Sequence, residues 1–293
     1  MVDRIIDTHI HVWNFEHASY DWLKNDTSIL HRNYDIVDLE HDRAAAGITA
    51  GVLVQAANNL EDTDWMLQVA EKTAWIAGVV GWVPLTDPVA TEKALKEKYL
   101  ANKYFKGVRH LIHDEPDAKW LLQDDVIKSL QILADYDLPY DVVGITTEHI
   151  ETALTVANRV PELKMIFDHL NRPPDASKKE FDEWSGLMKE AAKHKNFYTK
   201  ISGLGKLPTD LEKWNSGYVK PHISFALEVF GEDRCMCGGN WPVSLLKENY
   251  VKIWSTYKEI INSLLNDEGK EKLFYRNALQ FYNLMDANEF LKG

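Results

Sequence analysis

Along the chain, short runs rich in Val, Ile, Phe and Tyr alternate with longer stretches whose apolar residues recur at helical spacing. A strand-then-helix alternation of this kind builds a parallel sheet covered by helices. The runs are Ile5–Trp13, Thr49–Ala56, Gly78–Leu85, Lys106–His113, Leu138–Val143, Lys164–Leu170, Phe197–Gly203 and Arg234–Trp241. Helices are predicted at Asp62–Thr73, Val126–Asp135, Thr147–Val160, Phe181–His194 and Pro221–Phe230, with terminal helices in Tyr250–Leu291. Asn14–Asn33 and Gly205–Tyr218 are long enough to be loops over one mouth of the fold. Strands in this number predict closure into an α/β (β/α)8 TIM barrel, and the 293 residues fit one such barrel, residues 1–293, ending in C-terminal helices.

Composition narrows the function. With 45% hydrophobic and 27% charged residues there is material for a large core and no bias toward disorder. A formal charge of -12, with no basic run, disfavours nucleic acid and anionic membranes as partners. The opening MVDRIIDTHIHVW places acids and histidines where a secretory signal needs unbroken apolar residues, so a cytoplasmic location is expected. Cys235 and Cys237 share one face of a strand, a poor arrangement for a mutual disulfide, and are expected to be reduced and buried.

In a barrel of this type the chemistry sits at the C-terminal ends of the strands. His9 and His11, two residues apart on the first strand, point to the same side and can converge on one metal ion or one substrate oxygen. Period-two counting puts Asp7 on that face, one layer deeper, and puts Arg109 and His113 on one face of the fourth strand. Arg109 offers a planar fork of donors suited to a carboxylate or a developing oxyanion, with a structural salt bridge as the alternative. His110 faces the other way and is read as a packed, supporting histidine. His169 ends the sixth strand, with Asp168 alternating outward from it. Gln55, Asp141, Lys200 and Ser202 are polar residues inside apolar runs, where each needs a partner or a ligand.

Taken together, DTHIHVW, KGVRHLIHDEPDAKWLL, PELKMIFDHLNRPP, FDEWSGLMKEAAKHKNFYTKISGL, FGEDRCMCGGNWPV and LFYRNALQFY resemble, nearly end to end, the lactonase branch of the amidohydrolase superfamily. That branch includes sugar lactone and sulfomuconolactone hydrolases. The resemblance implies that His9, His11, Arg109 and His169 surround the scissile lactone, that Trp13 and Trp241 help to wall the pocket, and that water attacks the ester carbonyl. It also implies an acid/base Asp on strand eight in a GSDWPV-like motif. Here the motif is GGNWPV, with Asn240 at the Asp position and Gly239 at the preceding Ser.

An amide orients water but is essentially non-basic. Three readings of Asn240 stand: an introduced substitution, a natural variant using another base (His169 first, Asp141 second), or a protein that binds without turnover. The strand-five histidine and strand-four lysine of two-metal amidohydrolases have no counterpart, so metal-independent chemistry is expected, with one divalent ion such as Zn²⁺ on His9 and His11 as the alternative. The expected activity is hydrolysis of an aldonolactone or carboxylated lactone, its rivals being metal-dependent decarboxylation and silent sugar-acid binding. The expected partner is therefore a small lactone or sugar acid, and a homo-oligomer is compatible with the sequence.

Overall fold

The computed structural model describes residues 4–174, 178–205 and 214–285. Eight parallel strands pair strictly in chain order: β1 (Ile6–Ile10), β2 (Ala50–Val54), β3 (Ile76–Gly81), β4 (Phe105–His110), β5 (Tyr140–Val142), β6 (Met165–Phe167), β7 (Phe197–Ile201) and β8 (Cys235–Cys237). Closure comes just beyond β8, where His11 N donates to Trp241 O at 2.7 Å and Asn240 N donates to His9 O at 2.8 Å. The predicted TIM barrel is thus the observed fold.

Helices α1 (Ile36–Ala45), α2 (Leu60–Lys72), α3 (Pro88–Ala94), α4 (Asp124–Asp135), α5 (Thr147–Arg159), α6 (Lys178–Lys193), α7 (Ser216–Phe230) and α8 (Tyr250–Leu264) follow successive strands. Their starts are fixed by side chains that take up free amide groups: Asn59 accepts from Asp62 N, Asp87 from Val89 N and Ala90 N, and Asn249 from Lys252 N. The short α9 (Asp267–Glu271) and α10 (Asn277–Phe281) fall in the predicted C-terminal helical segment, whose end at 286–291 lies outside the described residues. Tyr275, Phe281 and Tyr282 from this segment pack with Ile6, Val52, Val54, Val80, Ile166 and Met236 in a second apolar cluster. Most of the predicted loop at 205–218 lies outside the described residues, and α7 begins before the expected Pro221 because Asn215 caps it.

Several strands end earlier than predicted because a side chain takes the next amide. Trp82 N donates to Thr63 Oγ1 and Leu111 N to Asn58 Oδ1, so β3 stops at Gly81 and β4 at His110. His113 therefore does not share a strand face with Arg109; it sits in a short 3-10 turn, half-buried, with Nδ1 3.3 Å from Val143 O.

Candidate active site

Two backbone irregularities build the site, and neither follows from alternation. In β1 the register slips between Asp7 and Ile10. Asp7 is thereby turned away from the histidines and toward α8, where it accepts hydrogen bonds from Tyr250 Oη (2.6 Å) and Gly239 N (2.8 Å). The expectation that Asp7 lies beneath His9 and His11 is corrected: the bulge changes the parity of the strand. Burial pushes the Asp7 carboxyl up to about 6 despite those hydrogen bonds.

The second irregularity follows β6. His169, Leu170, Asn171 and Arg172 all have positive φ, between 48° and 56°. Left-handed backbone costs a non-glycine residue roughly 1–2 kcal/mol, and here neighbouring groups hold it, with Trp184 Nε1 donating to Leu170 O and Asn171 Nδ2 to Thr146 O. Asp168 follows the inward Ile166 by two and points inward as well, while the left-handed turn at His169 brings the next ring back over the barrel, 4.5 Å from that of His9. Asp168 was expected to alternate outward. Instead it is fully buried at the centre.

Side chains from strands that are not neighbours meet through the barrel interior. Lys200 Nζ lies 2.5 Å from Asp141 Oδ2, 2.9 Å from Asp168 Oδ1 and 3.3 Å from His9 Nδ1. Arg109 Nη1 donates to Asp168 Oδ2 at 2.9 Å, and its Nη2 donates to the Gln55 carbonyl and side-chain oxygens. Tyr282 Oη reaches Asp141 from below at 2.9 Å. Nearer the mouth, His9 Nε2 and His11 Nε2 are 3.1 Å apart, and His11 Nδ1 lies 2.8 Å from Val54 O. His169 Nδ1 lies 2.8 Å from Ser202 Oγ. Gly203 has a φ of +57°, and a Cβ there would come within 2.8 Å of the His169 ring and 3.1 Å of Asn240 Nδ2, so this glycine lets the two side chains approach.

The electrostatics follow from burial and pairing. Burial alone would raise the Asp168 pKa, but Lys200, His9 and Arg109 together hold it well below the usual carboxylate range. Burial lowers all three mouth histidines: His9 falls well below its ordinary value, while His11 and His169 are pushed down to about 3, with Arg109 adding to the effect on both. They are neutral at pH 7. Asp141 is pushed up to about 6 by burial, opposed by Lys200.

The structure therefore brings together His9, His11, Arg109, His169 and Asn240, with Gln55 against the Arg109 guanidinium. Other expectations change. Asp141 and Lys200 have no exposed surface and are committed to each other, so they sit beneath the site rather than against a substrate. Trp13 and Trp241 are also buried; both meet Tyr34 edge-on and back the mouth instead of presenting an open wall. Arg109 is not a free clamp, since both terminal nitrogens are engaged and only its buried Nε lacks a partner. His110 is the supporting histidine expected, stacked on Trp120 and hydrogen-bonded to Trp82 and Glu115. A cavity of about 670 Å³ beside the β1–α1 connection is lined by Phe15, His17, Tyr20 and Lys24 among others, and none of the central histidines borders it.

His9 and His11 approach closely enough to share an ion, yet the surrounding donors do not fit a firmly held divalent cation. Arg109 Nη1 stands 3.4 Å from His9 Nε2, and residue 240 offers an amide in place of a carboxylate. Among the described residues no group of three His, Cys, Asp or Glu side chains is arranged to hold a metal.

Residues 6–284 match the Amidohydrolase family model, and the chain belongs to that family. It is 30% identical over 288 residues to an L-fucono-1,5-lactonase of Burkholderia ambifaria, covering 95% of each chain. It is 28% identical over 294 residues to an L-fucono-1,5-lactonase of Burkholderia multivorans, covering 95% of this chain and 96% of that one. An amidohydrolase of Burkholderia multivorans, solved with bound HEPES and in another crystal with bound zinc, superposes with a TM-score of 0.87 at 26% identity, covering 96% of this chain and 99% of that one. Similarity to a 2,6-dihydroxybenzoate decarboxylase, at 15% identity and a TM-score of 0.64, reflects the shared fold alone.

Proposed function

We propose that this protein hydrolyses a small sugar-acid lactone to its open hydroxy acid, and that the substrate is an uncharged aldonolactone rather than a lactone carrying its own carboxylate. The observation that carries this reading is the neutral mouth. His11, His169 and Asn240 are uncharged around it, and the nearby cations are already engaged, the terminal nitrogens of Arg109 by Asp168 and Gln55 and Lys247 Nζ by the Gly203 and Gly205 carbonyls. Such a mouth suits hydroxyl groups and an ester better than an anion. The lactonase relatives, matched over nearly the whole chain, support the same reaction class.

In this reading His169 and Asn240 are the groups that meet water and the scissile ester. Asn240 is 6% exposed and held by its backbone to β1. Its amide orients the water, and neutral His169, the more exposed of the mouth histidines, accepts the water's proton as the oxygen adds to the carbonyl carbon. Collapse of the tetrahedral intermediate breaks the ring C–O bond, and the proton passes from His169 to the departing alkoxide oxygen. His9, His11 and Arg109 fix the inner wall. Trp13 and Trp241 back the mouth from behind, Gln55 holds the Arg109 guanidinium, half-buried His113 stands beyond the end of β4, and no metal takes part.

The test is a pH-indicator screen of aldonolactones and carboxylated lactones, run on the protein and on Asn240→Asp side by side. Aldonolactones should be opened in preference. Asn240→Asp should raise kcat by about 10²–10⁴-fold with little change in KM, the usual contribution of a positioned acid/base acting on the transition state. Hydrolysis of no lactone by either form would overturn the proposal.

A further inference from the structure

We propose that Lys200 fixes His9 in the tautomer protonated on Nε2, and so makes His9 and His11 a closed hydrogen-bonded pair instead of two free metal ligands. This role for Lys200 is independent of which substrate the protein takes.

The protons can be placed one at a time. A backbone carbonyl only accepts, so the 2.8 Å contact with Val54 O puts a proton on His11 Nδ1. A second proton on His11 would bury a cation beside Arg109, so His11 is neutral and its Nε2 carries a lone pair. That lone pair faces His9 Nε2 at 3.1 Å. Two lone pairs at that distance repel, so the proton between them belongs to His9 Nε2. His9 Nδ1 is then bare and, with His9 wholly buried, needs a donor. Asp168 Oδ1, 3.3 Å away, is an ionised acceptor and cannot supply one. Lys200 can: its ammonium has three N–H bonds and three acceptors around it, Asp141 Oδ2, Asp168 Oδ1 and His9 Nδ1. Arg109 Nη1 gives one N–H to Asp168 at 2.9 Å, and its other N–H, 3.4 Å from His9 Nε2, makes the longer approach to that nitrogen, so the 3.1 Å contact with His11 decides where the proton sits.

Removing the ammonium reverses the order. His9 Nδ1 would then keep a proton and donate it to Asp168 Oδ1, and its Nε2 lone pair would turn on that of His11, leaving two imidazole nitrogens converging on one point. That arrangement invites a divalent cation. Lys200 is thus a positioning residue that acts through its contact with His9.

The tautomer can be read directly from long-range ¹H–¹⁵N correlation spectra of protein labelled at the histidine rings, with the His9 signals assigned by their loss in His9→Gln. A protonated Nε2 and a bare Nδ1 on His9 are expected; the opposite pattern overturns the proposal whatever any variant does. Zn²⁺ competition against a chromophoric chelator gives the second reading. Lys200→Met, or Lys200→Met with Asp141→Asn should the single variant not fold, is expected to bind Zn²⁺ at least ten-fold more tightly than the unaltered protein. Equal or weaker binding by a folded variant contradicts it.

Discussion

Arg109 and Asp168 form an ion pair in which neither side chain has more than 3% of its surface exposed, and it ties the end of β4 to the residue after β6. Removing one partner of such a pair strands the other charge, which typically costs 3–5 kcal/mol. Asp168→Asn should therefore lower the unfolding free energy by about that amount in urea titrations, because Lys200 loses a partner too. Arg109→Lys keeps the charge and loses the fork that reaches Asp168 and Gln55 together, so turnover should fall sharply. Near-normal turnover in Arg109→Lys would reduce the residue to a plain counter-charge.

Residues 239 and 240 should respond very differently to substitution. Asn240 has a φ of +53°, a conformation that Asn and Asp tolerate best, so Asn240→Asp should fold as the parent does. A Cβ on Gly239 would stand 2.4 Å from the Tyr250 ring and 2.5 Å from Asp7 Oδ2. Gly239→Ser should destabilise by about 1–3 kcal/mol, the usual cost of overpacking. Thermal melts of the two single variants check this, and equal melting temperatures would show that Tyr250 gives way freely.

Stability should fall as pH drops below about 6.5. His9, His11 and His169 have folded pKa values depressed by burial, so below 6.5 the unfolded chain takes up protons that the native state refuses, and each group removes stability on the way toward pH 3. Asp7, Asp62 and Asp141 act in the opposite sense. Raised to about 6, they hold protons in the native state that the unfolded chain has lost, and so add stability as pH falls from 6 to about 4. His110, His113 and His149 are lowered by burial as well, so the histidines outnumber the aspartates and a net loss remains. Urea midpoints measured at pH 7 and pH 5 decide the matter, and a higher midpoint at pH 5 would reverse the ranking of the two sets.

Cys235 and Cys237 face away from the barrel interior, and the Cys235 thiol donates to Ala226 O on α7 at 3.5 Å. Burial pushes both thiols up, so neither forms a thiolate near neutral pH. Thiol reagents should leave the folded protein unmodified. A Cys235→Ala, Cys237→Ala double variant should keep its lactone turnover, and a folded double variant without activity would give the pair a role beyond packing.

The sequence was informative wherever side-chain period alone decides placement. The eight strands, the parity that brings Arg109 inward, and the clustering of His9, His11 and His169 at one mouth could all be read from alternation and the barrel rule. What alternation hides is any residue beside a backbone irregularity. The bulge in β1 turned Asp7 outward, and the left-handed run after Phe167 allowed Asp168 and His169, adjacent in sequence, to face one centre. Counting from Ile166 instead of from the end of the run would have found Asp168. Tyr282 carried no local signal, since its contact with Asp141 spans 141 residues.

The balance of charge at the barrel centre bears on how substrate arrives and product leaves. Arg109 and Lys200 are matched by Asp141 and Asp168, and the histidines add nothing, so these buried groups send no net positive field outward through the mouth. The uncharged lactone proposed as substrate would then diffuse in without steering by that centre, and its capture should be insensitive to ionic strength. Ring opening then creates a carboxylate inside a protein of formal charge -12, beside an Arg109 whose terminal nitrogens are already engaged by Asp168 and Gln55. Expulsion of the acid is thus driven by the reaction's own change in charge.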